Sequence, residues 1–276
     1  MTKFASIINM KGGVGKTTLT FNLALYLAEK KAQRVLVIDL DPQANATIVS
    51  IDPENYKKHR ETKKTVADIF IHTYKTYGPV RTPQLIPLQI SDFTHEVYSS
   101  KITAGRFDII PSELMLSSVL KGMTLGPYDL DKLLTPQVQN QYDYILVDCA
   151  PTNSALTTIA LNTTKAVLIP MISDSFGVHG TDLMNQVLKE HKDDYGLEVK
   201  VIGVVFTMWE QQINPTIQSS KIIKGWPPNT IFNTKISKNN WYMVANGKRK
   251  AIWNTPASAI FQKEFDAFVT DFIKRA

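Results

Sequence analysis

Between an apolar, strand-like run at Phe4–Asn9 and a helix-like stretch at Thr17–Lys31 lies Met10-Lys11-Gly12-Gly13-Val14-Gly15-Lys16-Thr17-Thr18. No other feature restricts the fold so much. Glycines let the backbone turn with its amides facing inward, and those amides bind anionic phosphate oxygens together with the N-terminus of the following helix. Such a loop requires a strand entering and a helix leaving, which is the context found here. Lys16 is placed to reach β- and γ-phosphates, and the Thr17 hydroxyl suits a Mg²⁺ ligand. The usual pattern has Gly five residues before Gly15; this chain has Met10 there, and Lys11 stands ahead of the glycine pair.

Further along, short β-branched runs alternate with helical stretches. Strands are expected at Arg34–Leu40, Phe107–Pro111, Tyr144–Asp148, Ala166–Met171, Val199–Thr207 and Thr230–Phe232. Several are apolar on both faces, as parallel strands covered by helices must be. Helices are expected at Ser112–Leu120, Asp182–His191 and Ala257–Ile273. The alternation implies an α/β fold with a doubly wound, mostly parallel sheet flanked by helices. A length of 276 residues with 43% hydrophobic and 20% charged residues is enough for one large domain and excludes a disordered chain. Residues 50–104 read as a less regular surface excursion of that single domain 1–276. They hold a basic run at Lys57–Lys64, a short helix at Val66–His72 and prolines at 79, 83 and 87.

The loop Lys11–Thr18 resembles the deviant Walker A motif of the ParA/MinD family of P-loop ATPases. Val35–Gln43 resembles the family's second motif, Tyr142–Pro151 its Walker B, Asp108–Ser112 a strand end between them, and Ile202–Met208 a later strand. Departures fall at Ala150, usually Pro, and Ala44, usually Gly. The resemblance implies ATP and Mg²⁺ as cofactors. Gly12, Gly13, Val14, Gly15, Lys16, Thr17 and Thr18 would hold the phosphates, with Asp148 and Asp39 joining Thr17 around the metal. Asp41 would position the attacking water, and Lys11 would cross to a partner's nucleotide in an ATP-sandwich homodimer. A second cation there would stabilise developing charge. Ile236-Ser237-Lys238-Asn239 resembles a degenerate form of a family segment near the purine, which puts Ile236 with Thr207 and Met208 at the base.

Net charge is +6, yet Gln211–Lys263 holds eight Lys and Arg and no Asp or Glu, so the rest of the chain is slightly acidic. Trp226, Trp241, Tyr242 and Trp253 are interleaved with these cations. An acid-free basic surface fits phosphate-backbone binding without sequence reading. Lys221, Lys224, Lys238, Lys248, Arg249 and Lys250 are the expected DNA contacts. The resemblance implies the same non-specific DNA binding by the ATP dimer, and a ParB-type centromere-binding protein that stimulates a slow basal hydrolysis.

The expected role is that of a ParA-type ATPase in plasmid or chromosome partition, cytoplasmic and nucleoid-associated. A MinD-like membrane-positioning ATPase and a biosynthetic enzyme of the dethiobiotin-synthetase kind share the phosphate loop. Phe261, Phe265, Phe268 and Phe272 recur at helical spacing beside Glu264, Asp266 and Asp271, which suits a core-facing helix better than a membrane-surface one. One cysteine, Cys149, excludes a disulfide framework and a nitrogenase-reductase-like cluster, which takes two per chain.

Overall fold

The computed structural model describes residues 1–77, 89–122, 130, 133–210, 222, 224–227, 229–256 and 258–276. Among them, seven strands form one sheet in the order β3-β4-β2-β5-β1-β6-β7. The strands are β1 Lys3–Ile7, β2 Arg34–Leu40, β3 His95–Ser99, β4 Arg106–Ile110, β5 Tyr144–Cys149, β6 Ala166–Met171 and β7 Lys200–Phe206. All neighbours pair in parallel except β3, which runs antiparallel along β4.

Successive residues of one strand enter different cores. Val35 and Val37 of β2 pack with α1 (Lys16–Lys31) and the C-terminal helix, while Leu36 and Ile38 pack on the opposite face. That second face is covered by α4 (Val66–Tyr77), α5 (Met115–Gly122), α7 (Ala155–Thr164) and α8 (Ser175–Tyr195). The sheet is therefore doubly wound. Both faces being buried explains why its strands read as continuous apolar runs.

Shorter helices connect these layers: α2 (Asn45–Ser50), α3 (Pro53–Glu61), α6 (Pro136–Gln139) and α9 (Trp241–Gly247). The last helix, α10 (Ser258–Arg275), buries Phe261, Phe265, Phe268 and Phe272, each at most 4% exposed. Its phenylalanine face is committed to the core. No helix among the described residues is long and apolar enough to cross a membrane.

Several elements depart from expectation. The 50–104 region is more regular than its composition suggests. Its basic run as far as Glu61 winds into α3, whose N-terminus is capped by the Asp52 carboxylate, which accepts from the Glu54 and Asn55 amides with Pro53 in the first turn. His95–Ser99 then supplies an edge strand. Thr230–Phe232 is not a strand: only Ile231 bridges to Val204. Prolines 79, 83 and 87 and residue 257 lie outside the described residues.

Candidate nucleotide site

β1 is flanked by β5 and β6 near the middle of the sheet, so the loop after it opens at the crevice outside the strands' carboxyl ends, where α/β ligands bind. Gly13 and Gly15 take φ of 75° and 82°, the left-handed region that glycine enters without strain. A Cβ on Gly12 or Gly13 would meet no described atom within 4 Å, so the loop encloses open space. Asn9 fixes the loop's entry: its Nδ2 donates to the Pro170 carbonyl at 2.8 Å and its Oδ1 accepts from the Lys11 amide at 2.9 Å. Val14 fixes the exit, its carbonyl accepting from Thr207 Oγ1 at 2.8 Å.

Lys16 is 7% exposed and lies across the loop, its Nζ donating to the carbonyls of Asn9 and Lys11 at 3.1 and 3.0 Å. Burial pulls its pKa down, against the opposing pull of Asp148. Asp148, near the end of β5, sits in register with Ile7 of β1 and with Asp39 of β2. Its two oxygens accept from Thr17 Oγ1 at 2.8 Å and Thr20 Oγ1 at 2.9 Å. Asp39 accepts from the amide and hydroxyl of Thr47 at 2.8 and 2.7 Å and from the Asp41 amide at 3.1 Å. Both carboxyls are held above the usual range, in each case chiefly by burial; for Asp39 the neighbouring Asp148 charge adds to it. A cation beside them would favour their ionised forms.

Asp41 is also buried; one oxygen accepts from the Gln43 amide at 2.9 Å, closing a turn before α2. Lys11 is ion-paired with Asp174 at 2.7 Å. A mostly apolar cleft of about 270 Å³ adjoins the loop, and Gly15, Thr18, Thr207, Met208, Ile236 and Tyr242 are among its walls. The chain thus gathers the expected phosphate, metal and base residues around one crevice.

The donor set suits a triphosphate with magnesium: open glycine amides at a helix N-terminus, one lysine, one hydroxyl and carboxylate oxygens, all hard ligands. Four contributors escaped the sequence reading: Asn9, Thr20, Thr47 and Asp174. Thr20 carries a signal, being three residues beyond Thr17 on the same helix face. Thr47 and Asp174 act through contacts that no local pattern encodes, and Asn9 joins a local bond to Lys11 with a tertiary one to Pro170.

The cationic segment is dispersed in space. Lys224 is exposed beside a cleft walled by Lys235 and Arg275. Lys238 is ion-paired with Glu210, and Ser237 hydrogen-bonds Glu264, so the acids just outside the acid-free stretch reach back into it. Lys248 and Lys250 are exposed on a turn after α9, while Arg249 donates from Nε to the Ile51 carbonyl at 2.9 Å. Trp226 and Trp253 are buried, and Trp241 and Tyr242 pack against the core rather than facing solvent between the cations. Lys221 lies outside the described residues.

Comparison with known proteins bears on the family and the fold. A family model described as an AAA domain, AAA_31, matches residues 2–201. An uncharacterised protein of Pseudomonas putida is 32% identical over 242 residues, covering 87% of this chain and 82% of its own length. The sporulation initiation inhibitor Soj of Bacillus subtilis is 26% identical over 87% of this chain and 85% of its own. Among solved structures, a plasmid partition protein of Borrelia burgdorferi bound to AMPPNP superposes with a TM-score of 0.78 at 22% identity, over the whole of both chains. The glycine loop with its extra lysine, the paired strand-end carboxylates and these matches together place the chain in the AAA_31 family, among the ParA-like P-loop ATPases with a deviant Walker A loop.

Proposed function

We propose that this protein is a ParA-type partition ATPase that binds ATP with Mg²⁺, dimerises around it, binds DNA without sequence preference and hydrolyses ATP slowly until a ParB-type partner stimulates it. The observation that carries the reading is the convergence of Lys16, Thr17, Asp39 and Asp148 on a glycine loop that also bears Lys11. Relatives named Soj and ParA support the cellular role.

In this reading the loop amides and Lys16 hold the β- and γ-phosphates, and Thr17 with Asp148 and Asp39 holds the metal. Mg²⁺, when bound, neutralises phosphate charge and orients the γ-phosphoryl group. Asp41 orients water with the carboxylate oxygen not used in its turn. Thr207, Met208 and Ile236 pack on the base. Lys11 leaves Asp174 to reach the partner protomer's nucleotide, so the site is complete only in the dimer and basal turnover is low. Lys224, Lys238, Lys248, Arg249 and Lys250, together with Lys221, are the proposed DNA contacts, and the protein works in the cytoplasm on the nucleoid. The buried phenylalanine face of α10 leaves no apolar stripe there for a membrane, which favours this reading over a MinD-like one.

ATPase and DNA-retention assays on wild type, Lys16→Ala and Asp41→Ala test it. Asp41→Ala should be retained on DNA with ATP while hydrolysing poorly, and Lys16→Ala should do neither. Normal hydrolysis by Lys16→Ala would overturn the site assignment. Retention on anionic liposomes rather than DNA would overturn the partition reading.

A further inference from the structure

The cationic turn Lys248–Lys250 is anchored at both ends to the helix that opens at the phosphate loop. On its N-terminal side, Asn246 of α9 donates from Nδ2 to Thr18 Oγ1 at 3.2 Å. On its C-terminal side, the Ile252 amide donates to Asn22 Oδ1 at 3.1 Å, and Asn22 Nδ2 donates onward to the Thr18 carbonyl at 2.9 Å. Trp253 extends this anchor along α1, its Nε1 donating to Glu29 at 3.1 Å and its ring meeting Tyr26 edge-on at 4.9 Å.

Between the anchors there is little slack. Arg249 takes a left-handed φ of 51°, its amide donates to the Asn246 carbonyl, and the Lys250 amide donates to the Ala245 carbonyl. Ala251 and Ile252 are fully buried just beyond. Thr18 is where the two arms meet. It stands in the first turn of α1, next to the Thr17 that bonds Asp148, and it lines the cleft beside the loop.

We propose that Asn246 and Asn22 form a strap through which occupancy of the phosphate loop sets the affinity of the Lys248–Lys250 turn for the DNA backbone. The proposal rests on the reading that this chain binds nucleotide and DNA. A nucleotide that orders the first turn of α1 fixes Thr18. Both arms then fix the turn, so less conformational freedom is lost when its lysines meet phosphates. Coupling of this kind typically amounts to about five- to 150-fold in affinity, and it is reciprocal: DNA must tighten nucleotide by the same factor.

The test compares wild type, Asn246→Ala and Asn246→Ser, with random-sequence duplex DNA as probe and Mg²⁺·AMPPNP as nucleotide. DNA affinity is measured without nucleotide and at saturating nucleotide, which removes any change in nucleotide affinity itself. The ratio of the two affinities should fall about fivefold or more in both variants. Hydrogen exchange of the amides at 248–252 supplies a readout that needs no DNA. Nucleotide should slow that exchange in wild type and leave it unslowed in the variants, while the phosphate loop stays protected in all three. An undiminished affinity ratio, or equal protection at 248–252 in wild type and variants, overturns the strap. If wild type binds no DNA in either state, the DNA reading fails, and the exchange data alone decide whether the strap operates.

Discussion

The crevice at the carboxyl ends of β1, β2 and β5 and the turn at Lys248–Lys250 both concentrate charge, but they hold it in opposite ways. In the crevice the charged groups are buried and held by named partners: Lys16 on two carbonyls, Asp148 on two hydroxyls, Asp39 on Thr47. On the turn, Lys248 and Lys250 stand in solvent and only the backbone beneath them is fixed. Buried charges act at one geometry, and removing one leaves its neighbours uncompensated. Exposed cations act additively, weakly and under salt screening.

The sharpest way to break this contrast is Lys16→Ala, which should reduce ATP hydrolysis by about a hundredfold or more, read in a steady-state phosphate-release assay. Asp41→Ala should reduce hydrolysis by about 10²–10⁴-fold while ATP binding, measured by calorimetry, persists. If either variant hydrolyses at the wild-type rate, the crevice is not the place where buried charge does chemistry.

On the turn, combined Lys248→Ala, Arg249→Ala and Lys250→Ala should flatten the slope of log DNA affinity against log salt by up to about 2.7, near 0.9 for each phosphate left without its cation. Nucleotide affinity should hold. Lys238→Ala should flatten the slope less than one of these does, because Glu210 already neutralises it. Equal slopes for all these variants would mean that sequence position, not spatial pairing, decides which cations count.

The smallest expected effect is of pH on metal binding. Burial, with the interaction between them, holds the Asp39–Asp148 pair above the usual carboxylate range. Their raised values favour the protonated folded state, so metal-free stability falls as pH rises from about 4 toward about 8. Magnesium prefers the ionised pair, so Mg²⁺·ATP affinity should rise over the same interval. Calorimetry in buffers of different ionisation enthalpy measures the protons released, and a pH-independent affinity would show that the pair does not face the metal.

Much of the crevice was legible in the sequence for a physical reason. Strands buried on both faces must be apolar throughout, so β2, β5 and β6 announce themselves, and polar residues at their ends stand out as site candidates. Elements whose stability comes from tertiary contact were harder to see. α7 is rich in threonine, a poor helix former, and α8 begins seven residues before the expected Asp182, across Gly177 and Gly180. The edge strand β3 is largely half-exposed and lacks an apolar run. α3 did carry a signal, the Asp52-Pro53 cap, which the basic residues behind it obscured. The cationic stretch shows the limit of counting: a window free of acid in sequence borders Glu210 and Glu264, and folding brings both back to it.

The register of β2 against β5 has a consequence for the thermal stability of the protein. Asp39 and Asp148 stand in register on adjacent strands, so two carboxyls share the middle of the sheet, and a cation bound there as proposed would favour their ionised forms. Ligand at about a hundred times its dissociation constant adds about 2.7 kcal/mol to a folded state that alone accepts it. For a chain that binds Mg²⁺·ATP as proposed, the melting temperature becomes a reading of nucleotide concentration.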